Sequence, residues 1–442
     1  MAALSFTVRR KAPLLVPPAA PTPHEFKRLS DIDDQDGLRT QIPIIQYYRG
    51  GGGDDRDPVE VIRHALSRAL VFYYPLAGRL REIAGRKLVV ECTGEGIPFV
   101  EADADVRLDQ LGDALHPPIP FFDEVFPESA GILHRPLIHI QVTRLRCGGF
   151  IFAFRGNHTM ADGAGLGQFL TAVGELARGA PAPSTLPVWA RELLEARTPP
   201  RITCLHPAFE HAAARPPNAG DVPPLDMEHR SFLFRRADIA ALRMLVPPHL
   251  HASSAFEILT ACLWRCRAIA IGHDDPGEET RVVFTVGARG GRCAGLGLPR
   301  GYYGNAFAYA AAVTSAGELC SRPMGYPLEL MRNAKAAVTA EHMRSLADLM
   351  VLRGRPHYAT EGTYLVSDAT RTGMEEVDYG WGKAAFAGPA WGRVASFHIA
   401  FRNSKGEEGI VVPHYLPRSV MDKFAGEVTS LINRNPSVRS SL

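Results

Sequence analysis

Several features that mark particular classes of protein are missing from this 442-residue sequence. Its longest apolar runs, such as GFIFAF at 149–154, are much shorter than the roughly 20 residues that span a membrane. No lysine-rich block accompanies the net charge of +2, and the N-terminal residues 1–18 lack the charged-then-apolar order of a secretory signal. We therefore expect neither a nucleic acid nor a membrane among its partners.

Cysteine is scarce and scattered. The seven cysteines are odd in number, lie mostly in hydrophobic segments and form no C-x-x-C pair, so the sequence predicts neither a disulfide framework nor a zinc or redox motif. We expect buried free thiols in a reducing compartment. The nucleophile-elbow pattern G-x-S-x-G is also missing, which disfavours a serine hydrolase.

The composition is otherwise that of a globular protein, with 46% hydrophobic and 22% charged residues. A chain of this length exceeds what one hydrophobic core usually supports, so we expect two domains. Residues from about 178 to 228 are dense in proline, which is typical of an interdomain crossover. We predict an N-terminal domain at 1–180, a crossover linker at 181–228 and a C-terminal domain at 229–442.

Local patterns predict both helices and strands in each half. Asp57, followed by proline, predicts a helix that ends before Pro75. Residues 137–143 alternate as a half-buried strand does, and FIFAF at 150–154 predicts a fully buried strand. The apolar spacing after Gly165 predicts an amphipathic helix.

The second half repeats this mixture. A capping box of Ser254 and Glu257 predicts the start of a helix, and residues 397–415 predict a β-hairpin. We therefore predict an α/β (α+β) fold of two domains, each with a mixed sheet and flanking helices, and a cleft where they meet.

The stretch FRGNHTMADGAG, at 154–165, places His158 and Asp162 four positions apart. Such a pair is often purely structural. Two metal ligands can share a helix face at this spacing, but no other His, Cys, Asp or Glu lies within 150–170, so we predict no metal. A third interpretation is general base catalysis, because imidazole, with a pKa near ~6.5, accepts protons at neutral pH. The residues alone leave a structural pair and a catalytic base both open.

Two motifs resemble those of a known family. HTMADG is similar to the HxxxDG motif of the plant BAHD acyl-CoA-dependent acyltransferases. DYGWG, from Asp378 to Gly382, resembles the family's D-F-G-W-G signature, with Tyr379 in place of Phe. The resemblance extends over nearly the whole chain, and the blocks that carry it include YYPLAGRL, VECTGEGIPFVEA, IQVTRLRCGGFIFAF, FEILTACLWRCR and GYYGNAF. Within the family, the sequence looks most like benzyl alcohol O-benzoyltransferases and related alcohol acyltransferases.

The resemblance implies two domains related to chloramphenicol acetyltransferase, with a substrate channel at their interface. By similarity, His158 is the general base that deprotonates the acceptor alcohol, which then attacks the acyl-CoA thioester directly. Asp162 resembles the family aspartate that points away from substrate and pairs with an arginine, here Arg289. Acyl-CoA is then a co-substrate, with no permanently bound cofactor and no metal, and relatives are typically monomers.

The resemblance also assigns supporting and binding residues. Structural support of the site is implied for Asp378, Gly380, Trp381 and Gly382. Contacts with CoA are implied for Ser254, Lys383 and Gly388, although Ser254 could equally serve only as an N-cap. Contacts with the acceptor are implied for Ser367, Ala369 and Asn305. Many relatives carry Trp where this chain has Ala369, which leaves room for a bulkier acceptor.

The specific prediction is transfer from benzoyl-CoA to benzyl alcohol to give benzyl benzoate. The alternatives are an acetyl- or hydroxycinnamoyl-CoA donor with another alcohol, or a catalytically inactive relative that binds CoA or another ligand. The C-terminal residues Ser440, Ser441 and Leu442 resemble the tripeptide read by the peroxisomal import receptor. They predict a peroxisomal location, with the cytoplasm as the alternative.

Overall fold

A computed structural model of the protein describes residues 6–50, 56–126, 131–210 and 226–433. Within these ranges the chain forms sixteen β-strands and nine α-helices. The strands are β1 (Val8–Arg10), β2 (Leu14–Val16), β3 (Phe26–Arg28), β4 (Gln41–Tyr48), β5 (Arg79–Ile83), β6 (Lys87–Glu91), β7 (Ile97–Ala104), β8 (Ile138–Leu145), β9 (Phe150–Asn157), β10 (Met227–Arg235), β11 (Glu279–Gly287), β12 (Phe307–Ser315), β13 (Thr363–Asp368), β14 (Phe386–Pro389), β15 (Ser396–Arg402) and β16 (Glu408–Pro417). The helices are α1 (Pro58–Phe72), α2 (Phe122–Val125), α3 (Gly163–Ala177), α4 (Arg236–Arg243), α5 (Ala255–Ile271), α6 (Ala316–Ser321), α7 (Gly325–Ala337), α8 (Ala340–Leu352) and α9 (Arg418–Asn433).

These strands form three sheets. The first has the order β1-β7-β8-β9-β4-β14, with β2 also paired to β7. The second has the order β10-β16-β15-β13-β11-β12, and the third is the small sheet β3-β6-β5. The two large sheets are mixed, because β7–β8, β11–β13 and β13–β15 are parallel pairs and the other pairs are antiparallel. With flanking helices, this is the predicted α/β fold.

Several local predictions are confirmed. Asp57 caps α1 by accepting from the backbone N–H of Val59 at 3.1 Å, and α1 ends before Pro75. The Ser254 hydroxyl accepts from the backbone N–H of Glu257 at 3.2 Å, and the glutamate carboxylate accepts from the backbone N–H of Ser254 at 2.8 Å. These two bonds complete the predicted capping box of α5.

The hairpin and the predicted thiols are also present. β15 and β16 pair antiparallel, as expected of the segment 397–415. All seven cysteines lie in the described part of the chain and all are free; four are buried as expected, and Cys147, Cys204 and Cys320 are only partly buried. No helix among the described residues is long and apolar enough to cross a membrane.

The two halves of the chain share buried surfaces. The helices α1 and α3 cover one face of the first sheet with residues such as Leu66 and Phe169. On the other face, Ile45 and Ile151 pack in one cluster with Ile399 and Val411 from the second sheet. The division into domains at 181–228 stays a prediction. One strand pair crosses this division: β14 comes from the C-terminal half and pairs with β4 in the first sheet.

Candidate active site

His158 lies directly after the buried strand β9. Its backbone N–H donates to the carbonyl of Thr40 at 2.9 Å, which continues the pairing of β9 with the chain before β4. The Asn157 side chain then accepts from the backbone N–H of Thr159 at 3.1 Å and from its hydroxyl at 2.8 Å. The chain therefore turns sharply at this point, and the position of His158 is fixed by hydrogen bonds on both sides of the turn.

Asp162 begins the helix α3. Its Oδ1 accepts from the backbone N–H of Gly165 at 2.9 Å, so it is the N-cap residue. A glycine is needed at position 165 because a Cβ there would lie only 2.0 Å from the carbonyl oxygen of Tyr303. The helix starts at Gly163, so residues 158–162 are not helical and His158 and Asp162 do not share a helix face.

The carboxylate of Asp162 also reaches the second half of the chain. The Arg289 guanidinium donates to both carboxylate oxygens, at 2.6 and 3.0 Å, which gives a bidentate ion pair. The backbone N–H of Ala306 donates to Oδ2 at 3.0 Å. Arg289 in turn donates to the Gly304 carbonyl at 2.6 Å. The expected pair of Asp162 and Arg289 is present, and it ties the start of α3 to the chain on either side of Asn305.

A fully buried polar group lies behind the turn that carries His158. The Asn305 side-chain amide donates to the His158 carbonyl at 2.8 Å and to Asp33 Oδ1 at 2.9 Å. Arg191 donates to the same Asp33 oxygen at 2.7 Å and to the Met160 carbonyl at 2.8 Å. These contacts hold the backbone on both sides of Thr159. Sequence reasoning missed Asp33 and Arg191, since nothing in their local patterns signals a contact with residues 158–160.

A cavity of about 670 Å³ lies between the two large sheets. His158 is half-buried and lines this cavity. Burial lowers the pKa of His158 below its ordinary value, although the backbone carbonyls of His158 and Ala161 and the charge of Asp162 partly oppose this effect. The imidazole is therefore mainly neutral at neutral pH.

The second sheet supplies one wall of the cavity. Phe307, Tyr309, Thr285, Ser367 and Phe397 all line it. The rings of His158 and Phe307 have centroids 6.2 Å apart, and the Phe307 and Tyr309 centroids are 5.3 Å apart. An aromatic surface therefore begins beside the histidine.

Tyr358 extends this aromatic surface, with its centroid 5.2 Å from that of Tyr309. Ala369 also lines the cavity, where its methyl group occupies little of the space. Of the predicted acceptor residues, Ser367 and Ala369 are on the wall, whereas Asn305 lies behind His158 and makes no part of the wall.

Basic groups mark another part of the cavity lining. Ser254, at the N-terminus of α5, lines the cavity together with Lys335 and Arg292. Lys335 pairs with Glu257 of the capping box at 3.0 Å. The free N–H groups at a helix N-terminus and two cations form a surface that attracts phosphate. Sequence reasoning identified Ser254 but missed Lys335 and Arg292, although the glycine-rich GARGGR stretch could have indicated Arg292.

The DYGWG segment forms a separate turn. The Asp378 carboxylate accepts from the backbone N–H groups of Gly380 at 2.7 Å and Gly382 at 2.8 Å. Both glycines have positive φ, 111° and 79°, which explains the residue type at these positions. Tyr379 is fully buried against the first sheet, and the Trp381 ring packs edge-on against Phe150, with centroids 5.4 Å apart.

None of these residues lines the cavity, and neither do Lys383 and Gly388, which were predicted to contact CoA. Lys383 is exposed and pairs with Glu376. Gly388 lies within β14, where it pairs with Ile45. No group of three or more His, Cys, Asp or Glu side chains suited to a metal ion occurs in the described part of the chain.

Comparison with known proteins gives the class to which this fold and site belong. The chain matches the transferase family over residues 5–431. It is 59% identical to a benzyl alcohol O-benzoyltransferase of Petunia hybrida over 97% of this chain and 94% of the relative. A benzyl alcohol O-benzoyltransferase of Nicotiana tabacum is 56% identical, again over 97% of this chain and 94% of the relative. An alcohol acyl transferase of Malus domestica is 53% identical over 95% of this chain and 93% of the relative.

Solved structures share the fold at low sequence identity. Vinorine synthase superposes with a TM-score of 0.73 at 21% identity, covering 96% of this chain and 98% of its own. TRI101 of F. sporotrichioides, complexed with coenzyme A and T-2, gives a TM-score of 0.70 at 16% identity, covering 92% and 98%. The protein is an acyltransferase. The chain belongs to the BAHD family of acyl-CoA-dependent O-acyltransferases.

Proposed function

We propose that the protein transfers the benzoyl group of benzoyl-CoA to benzyl alcohol and releases benzyl benzoate and CoA. The observation that carries this proposal is a single histidine, His158, on the wall of a cavity with an aromatic surface on one part and basic groups on another. Two relatives above 55% identity bear the name benzyl alcohol O-benzoyltransferase, which supports the choice of substrates.

His158 acts as the general base. Its Nδ1 is a buried atom, which supports Nε2 as the nitrogen available to the cavity. Nε2 takes the proton of the acceptor hydroxyl while the alcohol oxygen bonds to the thioester carbonyl carbon. The tetrahedral intermediate then breaks its C–S bond, and the CoA thiolate takes the proton back from the imidazolium. The lowered pKa supports this role, because the neutral form is the one that accepts a proton.

Asp162 and Asn305 position the base and take no part in the proton transfer. Asp162 fastens the residues after the turn through Arg289, and Asn305 holds the carbonyl of His158 itself. Groups that lock a reactive side chain in this way determine whether it reaches its productive geometry. Asp378, Gly380, Trp381 and Gly382 support the fold of their own turn at a distance from the cavity.

The phosphate groups of CoA bind near the N-terminus of α5. Ser254 lines the cavity there together with Lys335 and Arg292, and these three side chains contact the phosphates. The acceptor then lies against the aromatic surface of Phe307, Tyr309 and Tyr358. The small side chain of Ala369 leaves space for an aromatic acceptor, and Ser367 supplies a hydroxyl near the reacting atoms.

A different pair of substrates is the second candidate. It is favoured by the 53% identical alcohol acyl transferase of Malus domestica and by a 13-hydroxylupanine O-tigloyltransferase of Lupinus albus at 48% identity. An apolar pocket separates substrates that differ by one methylene by only about 1–3 kcal/mol. Benzoyl-CoA, acetyl-CoA and a hydroxycinnamoyl-CoA should therefore each be offered with a panel of aromatic, aliphatic and terpenoid alcohols, and the esters identified by mass. Benzyl benzoate should be the main product, and its absence would overturn the substrate assignment.

Replacement of the base tests the mechanism. His158→Ala should reduce turnover by roughly 10²–10⁴-fold, while CoA binding, measured by calorimetry, persists. The exposed His249 offers a matched control, since His249→Ala removes an imidazole that does not line the cavity. Turnover by His158→Ala at the rate of the control would refute the base assignment. A wild-type protein that forms no ester would instead favour the inactive relative.

Location and assembly remain predictions. The Ser440-Ser441-Leu442 terminus lies outside the described residues. A fluorescent fusion that leaves the C-terminus free should enter peroxisomes, and deletion of Leu442 should leave it in the cytoplasm. A diffuse signal from both fusions would contradict peroxisomal import. The expected monomer can be checked by light scattering.

A further inference from the structure

Two hydroxyl groups meet on the cavity wall formed by the second sheet. Thr285, on β11, and Ser367, on β13, have their side-chain oxygens 3.1 Å apart. The strands are parallel, and Phe284 pairs with Val366 just before them, so the two hydroxyls are cross-strand neighbours. Both side chains are half-buried and both line the cavity.

The hydroxyls of Thr285 and Ser367 carry one more proton than the hydrogen bond between them uses. Two hydroxyls carry two protons, and only one of them lies in the bond between the oxygens. Neither hydroxyl has another hydrogen-bond partner among the residues that the structure describes. One O–H is therefore left to donate to a group in the cavity.

Aromatic side chains beside the Thr285 and Ser367 hydroxyls strengthen a hydrogen bond donated from this pair. Thr285 pairs across the sheet with Tyr309, and Ser367 pairs with Phe397, so an aromatic side chain flanks the hydroxyls on each side. Directly opposed residues of neighbouring strands point to the same face of a sheet. A hydrogen bond to a developing negative charge is stronger in such an apolar setting than in water.

Space separates the hydroxyls from the histidine. In the adjacent row, Gly287 pairs with Phe307, whose ring lies next to His158. A Cβ at Gly287 would meet no atom within 4 Å, so open space lies over this position. A reacting group can therefore lie between His158 and the two hydroxyls.

We infer that Thr285 is a positioning residue, which donates to Ser367 Oγ and so aims the Ser367 O–H at the thioester oxygen. This rests on the proposed function. As the alcohol oxygen bonds to the carbonyl carbon, the C=O π pair moves onto that oxygen, and Ser367 donates a hydrogen bond to it without losing its proton. When the C–S bond breaks, the pair re-forms the C=O bond. The hydroxyls of Thr285 and Ser367 thereby supply a hydrogen bond to the thioester oxygen, which the nearby Ala369 side chain cannot do because it has no donor.

Isosteric substitutions test this assignment. Ser367→Ala should lower kcat by roughly 10²-fold with little change in KM, as loss of an oxyanion donor does. Thr285→Val keeps the shape but removes the hydroxyl, and it should lower kcat by roughly tenfold. Thr285→Ser should restore kcat to near the wild-type value. The double variant should be no slower than Ser367→Ala, because Thr285 acts only through Ser367.

Thr314→Val is the matched control. Thr314 lies on β12, as Tyr309 does, and its hydroxyl forms a hydrogen bond with the Tyr326 hydroxyl at 2.7 Å, but it does not line the cavity. Its kcat should equal that of wild type. Multiplicative losses in the double variant, a wild-type kcat in Thr285→Val, or a loss that Thr285→Ser fails to rescue would each overturn the inference. The series is measured with whichever ester the wild type forms best. A wrong substrate assignment would then appear as another product, and a wrong base assignment as an active His158→Ala, without affecting this test.

Discussion

Asp162 and Asp378 each stand in a short motif with a following glycine, and each carboxylate accepts hydrogen bonds from backbone N–H groups. The partners of Asp378 are Gly380 and Gly382, within its own turn. Asp162 likewise caps its own helix, but it also holds Arg289 and the N–H of Ala306 from the other half of the chain. The two motif aspartates thus have different structural roles. Asp378 stabilises a single turn, whereas Asp162 joins the turn of His158 to the second half of the chain.

The comparison of the two aspartates predicts the larger loss of stability at Asp162. Asp162→Asn removes the charge that faces Arg289, whose side chain is 30% exposed while that of Asp162 is 10% exposed. Hydrogen bonds to charged groups contribute about 1.5–3 kcal/mol each, and solvent reduces this value for the exposed partner, so we expect the free energy of unfolding to fall by about 2 kcal/mol. Urea unfolding measures the change. An unchanged midpoint would show that the ion pair does not stabilise the fold.

Asp378 should have a smaller effect. Asp378→Ala removes the acceptor of two backbone N–H groups that lie near solvent, so the free energy of unfolding should fall by about 1 kcal/mol. The turnover number should fall less than in Asp162→Asn, because Asp378 lies off the cavity wall. The same urea titration, together with the ester assay, makes the comparison direct. A greater loss of activity in Asp378→Ala than in Asp162→Asn would reverse the roles.

The pH dependence of kcat/KM separates an electrostatic effect from a purely structural one. The proposed mechanism requires neutral imidazole at His158, so it predicts that activity is present above the pKa of His158 and is lost as the pH falls through it. Burial places this acid limb below the ordinary value near ~6.5. The negative charge of Asp162 raises the pKa of His158, so Asp162→Asn should move the limb to still lower pH, whereas Asp378→Ala should leave it in place. A limb that moves equally in both variants would contradict this assignment.

The smallest effect is expected for the substitution Tyr379→Phe. Its hydroxyl donates to Gln46 at 3.1 Å, while the Gln46 amide also donates to the Met374 carbonyl at 2.7 Å. Tyr379→Phe removes one hydrogen bond and keeps the packed ring, so stability should fall by about 1 kcal/mol or less and turnover should not change. Tyr379→Ala provides the contrast, because loss of a buried ring costs about 3–5 kcal/mol. A loss of turnover in Tyr379→Phe would place this hydroxyl in the active site.

Local sequence patterns predicted the elements that carry the site. The helix at Pro58–Phe72, the strand at Phe150–Asn157 and the capping box at Ser254 follow from spacing and cap chemistry, which act between residues close in the chain. The strands β13 and β14 were not predicted. Both are short, and β14 pairs with a strand far away in sequence, so their local patterns carry little signal.

Prediction of the site residues was less complete. Ser367 and Ala369 lie on the cavity wall as the family resemblance implied, whereas Asn305 supports the His158 backbone from behind and Lys383 pairs on the surface. A motif shows which residue type occurs at a position. The direction in which its side chain points depends on neighbours that the motif does not contain.

The sequence by itself determined that a buried strand ends at a histidine, that an aspartate and a glycine follow it, and that the chain resembles acyl-CoA-dependent acyltransferases. The resemblance also implied Arg289 as the partner of Asp162, but only the tertiary structure decided two other pairs: Asp33 with Asn305 across 272 positions and Ser367 with Thr285 across 82. The physical reason is that secondary structure depends on short-range backbone and side-chain preferences. Partners this far apart in the chain are brought together by sheet register and by packing of the whole fold.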